Sequence, residues 1–395
     1  MLGLGKIPAG SFELGYFGRS AGDWMLSRLP RDCGVSADGE FFELRFTYGQ
    51  ANCLCFVRKA LPLFSPERAE ALAVQARQAG YDGICTPELC VVDLCGRDAE
   101  ELSRLLLAEH SAERLALRLL AVTEESFTPA EEVRRAEELL RREIVARHRE
   151  AGAVIYAEQS QYIEADVQIA KGCVIYPNSC LRGKTVIGEN TVLYSNSLIS
   201  DSRIAAGCTV YPGNVLEGCR IGEGCTLYPN NFLRGFEVDC GSELTAVVAK
   251  DARMGRGCTG GPYAYLRPGS QVSDRCRVGD FVELKNATLG EDTKVSHLTY
   301  VGDATVGRAC NVGCGVVFAN YDGKRKPRTE VGDECFIRSN CNLVAPVRLD
   351  NGCYIAAGTT VTQDVAAEDF VIGRVRQQVL PKLKGRYRRL KNGKD

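Results

Sequence analysis

Between Gly261 and Lys326 the sequence gathers Arg267, Lys285, His297, Tyr300, Asn311, Asn320 and Lys326. Such a set can move a proton and hold an anion. An imidazole, with an ordinary pKa of about 6.5, is suited to taking a proton from an amine near neutrality. A guanidinium offers a planar fork to phosphate oxygens and an ammonium a point charge. Each residue also has a plain reading: His297 as a corner residue, Arg267 and Lys285 as solvated surface, Tyr300 as packing. Lys324, Arg325, Lys326 and Arg328 crowd a single stretch, ANYDGKRKPRTE (319–330). That stretch is a solubilising loop or, the better reading of so many cations in one place, an anion-binding one.

Beneath these side chains runs a hydrophobic beat with a period of six: Val272, Val278, Leu284, then Leu289, Val295, Val301. It starts at Ile163, Ile169, Ile175, Leu181, Ile187, Leu193 and Ile199. After a one-residue slip it resumes at Ile204, Val210 and Leu216, then at Ile221, Leu227 and Leu233, and returns at Ile337, Leu343, Leu349, Ile355 and Val361. A helix cannot keep this register on one face. A hexapeptide repeat predicts a parallel β-helix in which every sixth side chain points inward and three short strands make a coil. The segment 319–330 interrupts the beat, so it must leave the coil. Cys173, Cys208, Cys225, Cys258, Cys310, Cys335 and Cys353 each lie four residues after an apolar position, as in IGEGCT and LDNGCY. They read as small, reduced, buried apolar side chains beside a corner. An evenly spaced column does not converge four thiolates on a metal, so no metal site is expected.

The chain has 395 residues, with 49 Lys+Arg against 50 Asp+Glu, and 19 cysteines. The balanced charge offers no electrostatic case for nucleic acid or an anionic membrane. No apolar run is long enough to span a bilayer, and MLGLGKIPAG is not a signal peptide. Reduced cysteine and a cytoplasmic location follow as expectations. Residues 1–127 read as a small α/β domain, with strands at FFELRFT (41–47), NCLCFV and CVVDL (90–94) and helices opening at Ser65 and Asp98. Thr128-Pro129-Ala130-Glu131 opens a connecting helix over 128–152, with Val133, Ala136, Leu140 and Ile144 on one face and Ala151-Gly152 ending it. Its Arg- and Glu-rich face reads as solvated and laced with i,i+4 pairs. The repeat domain then covers 153–375, and 376–395 is a basic tail.

The runs GPYAYLRPG, FVELKNATLG, HLTYVGDA, NVGCG, NYDGKRK, LVAP, IAAGTTVTQDV and VIGRV are long, ordered and evenly spaced. From about 128 to 377 the chain resembles the glucosamine-1-phosphate N-acetyltransferase half of the bacterial bifunctional enzyme of UDP-N-acetylglucosamine synthesis, used for cell-wall precursors. The resemblance implies a mainly β protein, a left-handed parallel β-helix preceded by the small α/β domain and connecting helix. It also implies a homotrimer with active sites between neighbouring subunits. It makes His297 the general base and Arg267 and Lys285 the grip on the sugar phosphate. Tyr300, Asn311 and Lys326 complete the amino-sugar site, with Glu283 beside it. The same resemblance places acetyl-CoA against Cys314, Asn320, Tyr321, Ser339, Ala357 and Arg374, with no metal needed.

Two departures stand out. Val375-Arg376-Gln377 replaces the family's usual Val-Pro-Gln. At the front, SAGDWMLSRLP (20–30) lacks the consecutive glycines and basic residue of the family's nucleotide loop, which argues against uridyltransferase activity. The run PLFSPERAEAL (62–72) resembles part of that other half, so 1–127 reads as a reduced nucleotidyltransferase-like relic or a replacement. Other readings remain: a hexapeptide acyltransferase for another amino sugar or a nucleotide sugar, an enzyme retaining both activities, or a non-catalytic subunit. A non-catalytic subunit predicts loss of His297 or Lys285, and both are present. A three-histidine zinc site is excluded by the lone histidine of the repeat.

Overall fold

The computed structural model describes residues 129–379 continuously and, before them, strand segments between 15 and 121 and the helical residues 73–74. The chain divides into two compact units, 1–170 with 175–185, and 171–174 with 186–395. In the first unit, six strands form one sheet in the order Gly34–Asp38, Phe41–Tyr48, Ala51–Arg58, Leu89–Asp93, Gly83–Cys85, Leu119–Ala121. All neighbours are antiparallel except the last pair. The strands expected at 41–47 and 90–94 are therefore present. The helices expected from Ser65 and Asp98 lie outside the described residues, 73–74 apart.

Helix α1 (Pro129–Glu150) begins at its proline, whose fixed φ suits a first helical position. Gly152, at φ 95°, donates to Arg149 O at 2.9 Å and closes it. Leu140, Ile144, Val145 and His148 are buried. Burial, with Arg147 adding to it, pushes the His148 imidazole down to about 4. The charged face differs from the expected solvated surface. Arg142 does pair with Glu138 one turn back. Arg141, Arg147 and Arg149, however, donate to the carbonyls of Glu158, Ala165 and Ile155 at 2.8, 2.9 and 2.6 Å. A solenoid begins with an unpaired coil, and guanidinium groups satisfy carbonyls of its edge strand and turns there.

The second unit is the predicted parallel β-helix. Two- and three-residue strands fall in rotation into three parallel sheets, each strand hydrogen-bonded to its counterpart one coil later. Ile187 registers with Ile204, Leu193 with Val210 and Ile199 with Leu216. All six are buried. The slips at Ile199–Ile204 and Leu216–Ile221 occur at the same corner, between the sheet holding Leu198–Ser200 and the sheet holding Arg203–Ile204. In several coils this corner is one residue shorter than where it keeps the beat of six, as from Leu181 to Ile187, and its tip then lies in the left-handed region: Asp201 at φ 47°, Gly218 at 62°, Gly235 at 55°, Asp251 at 45°, Asn286 at 48°, Asp303 at 48°. Only Gly, Asn and Asp adopt that geometry readily. The insertion, between strands Val317–Ala319 and Thr329–Val331, leaves from this same corner. Among the described residues no helix is long and apolar enough to cross a membrane.

The cysteine column is buried as expected, but it is not merely apolar. Sγ of Cys208, Cys225, Cys258, Cys310 and Cys335 donates to the carbonyls of Gly222, Asp239, Ser273, Gly332 and Asp350 on the following coil at 3.0–3.2 Å. Thr191, Ser242 and Thr293 fill the same slot elsewhere and donate to Ala205, Gly255 and Gly307 at 3.0, 2.9 and 2.7 Å. The slot thus selects a small side chain carrying a donor, because a corner carbonyl turned inward needs a partner. Burial pushes the Cys208 thiol up to about 12, which keeps its proton in place for that bond. Cys208→Ala is expected to lower stability by about 1–2 kcal/mol and Cys208→Ser by much less, since serine keeps the donor. Denaturant midpoints of the two variants check this.

Candidate active site

Strands Arg277–Asp280 and Lys294–His297 are longer than their two-residue neighbours in the same sheet, and they pair with Asp280 opposite His297. The pairing brings the Asp280 carboxylate onto Nδ1 of His297. With Nδ1–H donating to that carboxylate, Nε2 carries the lone pair. Thr299 Oγ1 lies 2.7 Å from the His297 carbonyl oxygen and 3.1 Å from Gly313 O, within reach to donate its one proton to either and pin the corner backbone. The imidazole is half exposed. Its hydrogen bond holds the Asp280 carboxyl below the usual range.

Register then assembles a column along this corner. Phe336 pairs with Asn311 and Tyr354 with Phe336, as Asn311 does with Lys294. Three residues beyond each of these strand positions stand His297, Cys314, Ser339 and Ala357, with Asp280 at the same offset from Arg277. In coils nearer the N-terminus the slot holds Pro212, Pro229 and Pro262. Arg374 closes the column by donating to Ala357 O at 2.6 Å. Cys314 and Ala357 are partly exposed and Ser339 is exposed.

The adjoining face carries the charges. Strands Tyr265–Leu266, Glu283–Lys285 and Tyr300–Gly302 are consecutive rungs, with Tyr265 opposite Glu283 and Glu283 opposite Tyr300. Arg267 donates to Glu283 Oε1 at 2.9 Å and sits 5.9 Å above the Tyr265 ring. Lys285 reaches Asp303 Oδ2 at 2.9 Å, which raises the lysine pKa. Asn286 donates to Asp303 Oδ1 at 2.8 Å and Asn320 to Oδ2 at 2.6 Å. Burial works against ionisation of Asp303, but the bonds from Asn286, Lys285 and Asn320 outweigh it and hold the carboxyl low. Asn320 also lies 3.3 Å from the Tyr300 hydroxyl. The Tyr300 ring folds over Gly302, where a Cβ would come within 2.2 Å of its hydroxyl oxygen. Any side chain at 302 would displace the ring.

The sequence-predicted residues therefore fall into three groups. His297, Cys314, Ser339, Ala357 and Arg374 share one corner. Arg267, Glu283, Lys285 and Tyr300 share the next face, and Asn320 joins them: its side chain is buried and turned to Asp303 and Tyr300. The insertion holds exposed Tyr321, with Lys326 5.8 Å above its ring. Asn311 stands apart from all three, on the His297 sheet one coil further on and opposite Lys294. Sequence reasoning missed Asp280 and Asp303. Both lie one coil of 17 residues from a residue already singled out, Asp280 from His297 and Asp303 from Asn320. Asp280 is also the first residue to replace proline in its slot after Pro262. Among the described residues no three His, Cys, Asp or Glu side chains cluster as metal ligands would.

The chain is 42% identical to the bifunctional protein GlmU of Clostridium novyi (strain NT) over 242 residues, 61% of this chain and 46% of that one. It is 40% identical to the bifunctional protein GlmU of Clostridioides difficile (strain 630) over 248 residues, 63% of this chain and 47% of that one. The C-terminal part of the chain is similar to the bifunctional GlmU proteins. The resemblance read from the motif series is thereby borne out for the GlmU-like part, and the chain spans about half the length of these curated relatives. No family model matches the chain. A solved UDP-N-acetylglucosamine O-acyltransferase (LpxA) from Moraxella catarrhalis RH4 aligns at 16% identity over 42% of this chain and 68% of its own, with a TM-score of 0.23.

The Asp280–His297 bond makes a direct prediction. In the wild type the Asp280 carboxyl should titrate below the ordinary aspartate value of about 3.9. In His297→Ala it should return towards that value. Carboxyl-carbon chemical shifts followed against pH distinguish the two.

Proposed function

We propose that the protein transfers the acetyl group of acetyl-CoA to the amine of glucosamine-1-phosphate, giving N-acetylglucosamine-1-phosphate for UDP-N-acetylglucosamine and cell-wall precursor synthesis. The observation that carries this reading is the corner column. One edge of the coil holds a half-exposed imidazole oriented by a carboxylate, and the same edge continues as Cys314, Ser339, Ala357 and Arg374. The part of the chain that is similar to GlmU contains all of it.

In this reading the substrate amine attacks the thioester carbonyl carbon while His297 Nε2 takes its proton. The C–N bond forms, the C–S bond breaks, and the imidazolium returns the proton to the departing CoA thiolate. Asp280 holds the ring and offsets its transient charge. Arg267 and Lys285 grip the phosphate, with Tyr300, Asn311, Lys326 and Glu283 around the sugar. Acetyl-CoA lies along the corner column against Cys314, Ser339, Ala357 and Arg374, with Asn320 and Tyr321 beside it. No metal takes part.

The working form is a homotrimer whose sites lie between copies, which would bring a neighbour's insertion to the His297 corner. Two observations support an association face. Leu198, Phe232, Val248, Tyr265 and Val317 line one sheet as exposed apolar side chains. Beside His297, Tyr263, Phe281 and Leu298 form an exposed apolar ridge, of the kind a second copy covers. No disulfide joins Cys208, Cys225, Cys258, Cys310, Cys335 or Cys353, which suits a reducing compartment and a cytoplasmic enzyme. Uridyl transfer is absent in this reading, because SAGDWMLSRLP lacks the nucleotide loop. The nearest alternative, another amino sugar as acceptor, uses the same column.

The test is release of free CoA from acetyl-CoA and glucosamine-1-phosphate, with pyrophosphate release from UTP and N-acetylglucosamine-1-phosphate as the comparison. The first should be robust and the second undetectable. His297→Ala should lower kcat by about 10²–10⁴-fold with little change in KM. Lys285→Ala should chiefly raise the KM for the sugar phosphate. A His297→Ala protein within about threefold of wild-type kcat returns His297 to a corner residue. Light scattering of the active protein should give three times the chain mass, and a fully active monomer removes the shared site.

A further inference from the structure

Among the described residues, Asp303 is the only Asp, Glu, Lys or Arg that is buried as a whole residue. The corner it occupies does not require a charge. Asn286 makes the same turn one coil earlier at φ 48°, and Gly218 and Gly235 make it at 62° and 55°. The carboxylate has another use. It is the shared acceptor for Lys285 Nζ at 2.9 Å and Asn320 Nδ2 at 2.6 Å on one oxygen, and for Asn286 Nδ2 at 2.8 Å on the other. Lys285 faces the proposed phosphate site. Asn320 is the first residue of the insertion, and at the other end of the insertion Thr329 N donates to Asp303 O at 3.2 Å.

We propose that Asp303 is a positioning residue, whose buried carboxylate sets both the anion-binding lysine and the Asn320 foot of the insertion, while its backbone carbonyl receives Thr329 N at the other foot. For the identity of the anionic substrate the proposal rests on the acetyltransferase reading above. An amide in its place offers one acceptor where there are three donors, and its own N–H₂ must face either Asn286 or the Lys285–Asn320 pair. One or more of these donors then swings away, and an exposed lysine is no longer aimed.

The experiment compares wild type, Asp303→Asn, Asp303→Gly, Lys285→Ala and the double variant Asp303→Asn/Lys285→Ala. Asn and Gly both occupy equivalent corners, so the backbone tolerates either, and the second serves if the first folds poorly. Asp303→Asn should raise the KM for glucosamine-1-phosphate about tenfold or more. On the Lys285→Ala background it should add less than about threefold, because the two act through one another. A separate readout needs no substrate. Tryptic cleavage at Lys324, Arg325 or Arg328 should accelerate severalfold in both Asp303 variants while the thermal midpoint of the repeat stays within a few degrees of wild type. A KM within about threefold of wild type, or an effect that multiplies fully with Lys285→Ala, overturns the positioning of the lysine. An unchanged cleavage rate overturns the anchoring of the insertion. If the wild type releases no CoA with this acceptor, the substrate reading fails while the cleavage result still decides the anchoring.

Discussion

Everything in the described repeat depends on the backbone ladder that ties each coil to the next. A two-residue strand has almost no stability of its own. It persists because its N–H groups meet the carbonyls of the following coil, as Val192 N meets Cys208 O at 2.9 Å and Thr209 N meets Cys225 O at 3.0 Å. The ladder forces every coil to match its neighbour residue for residue. Hence the shortened corner recurs in place, buried side chains stack on buried side chains, and any outward residue stands in a column with its equivalents. Polar atoms that turn inward at corners become costly, and Cys, Thr or Ser must serve them.

That constraint decides how a site can be built. Side chains one coil apart in sequence, such as Asp280 and His297, become immediate neighbours, so a dyad needs only two substitutions in one column. The charged face shows a second consequence. Both cations proposed to hold phosphate already have carboxylate partners, but unequal ones. Arg267 and Glu283 are about two-fifths exposed, and a pair so open to water contributes little. Lys285 and Asp303 are 21% and 12% exposed, and Asp303 keeps two further donors. In the proposed reading, an arriving phosphate would exchange more readily with Glu283 at Arg267 than with Asp303 at Lys285.

Much of this was legible in the sequence. The six-residue beat indicated the coil, and the break at 319–330 indicated the insertion, because apolar burial is periodic and leaves a periodic trace. The slips at Ile199–Ile204 and Leu216–Ile221 were visible, but their cause is backbone geometry at one corner, which no hydrophobic pattern records. Cysteine was read as small and apolar; its proton matters only once a carbonyl on the next coil is placed opposite. Asp280 and Asp303 escaped notice because carboxylates are usually solvated, and their significance lies in what stands one coil away. Arg141, Arg147 and Arg149 were read as surface for the same reason. Their acceptors are carbonyls of the first coil, which takes shape only after folding.

The two corners that flank the site show how backbone conformation limits chemistry. At the short corner the left-handed tip admits Gly, Asn or Asp, and of these only Asn and Asp carry polar side chains. The polar cluster there accordingly takes its tip residues as Asn286 and Asp303, with Asn320 joining from the start of the insertion. At the His297 corner the equivalent left-handed position holds Asn196, Gly213, Asn230, Gly315, Asn340 and Gly358 in other coils. In the three coils around the site it holds Tyr263 at φ 61°, Phe281 at 55° and Leu298 at 46°. Bulky side chains in this region cost roughly 1–2 kcal/mol each. All three are more than half exposed, and only Tyr263 and Phe281 touch as a stacked pair, 5.3 Å apart. Packing within the coil does not recover that cost. Strain maintained on an exposed apolar ridge, in the coils that carry the dyad, supports the association face proposed above.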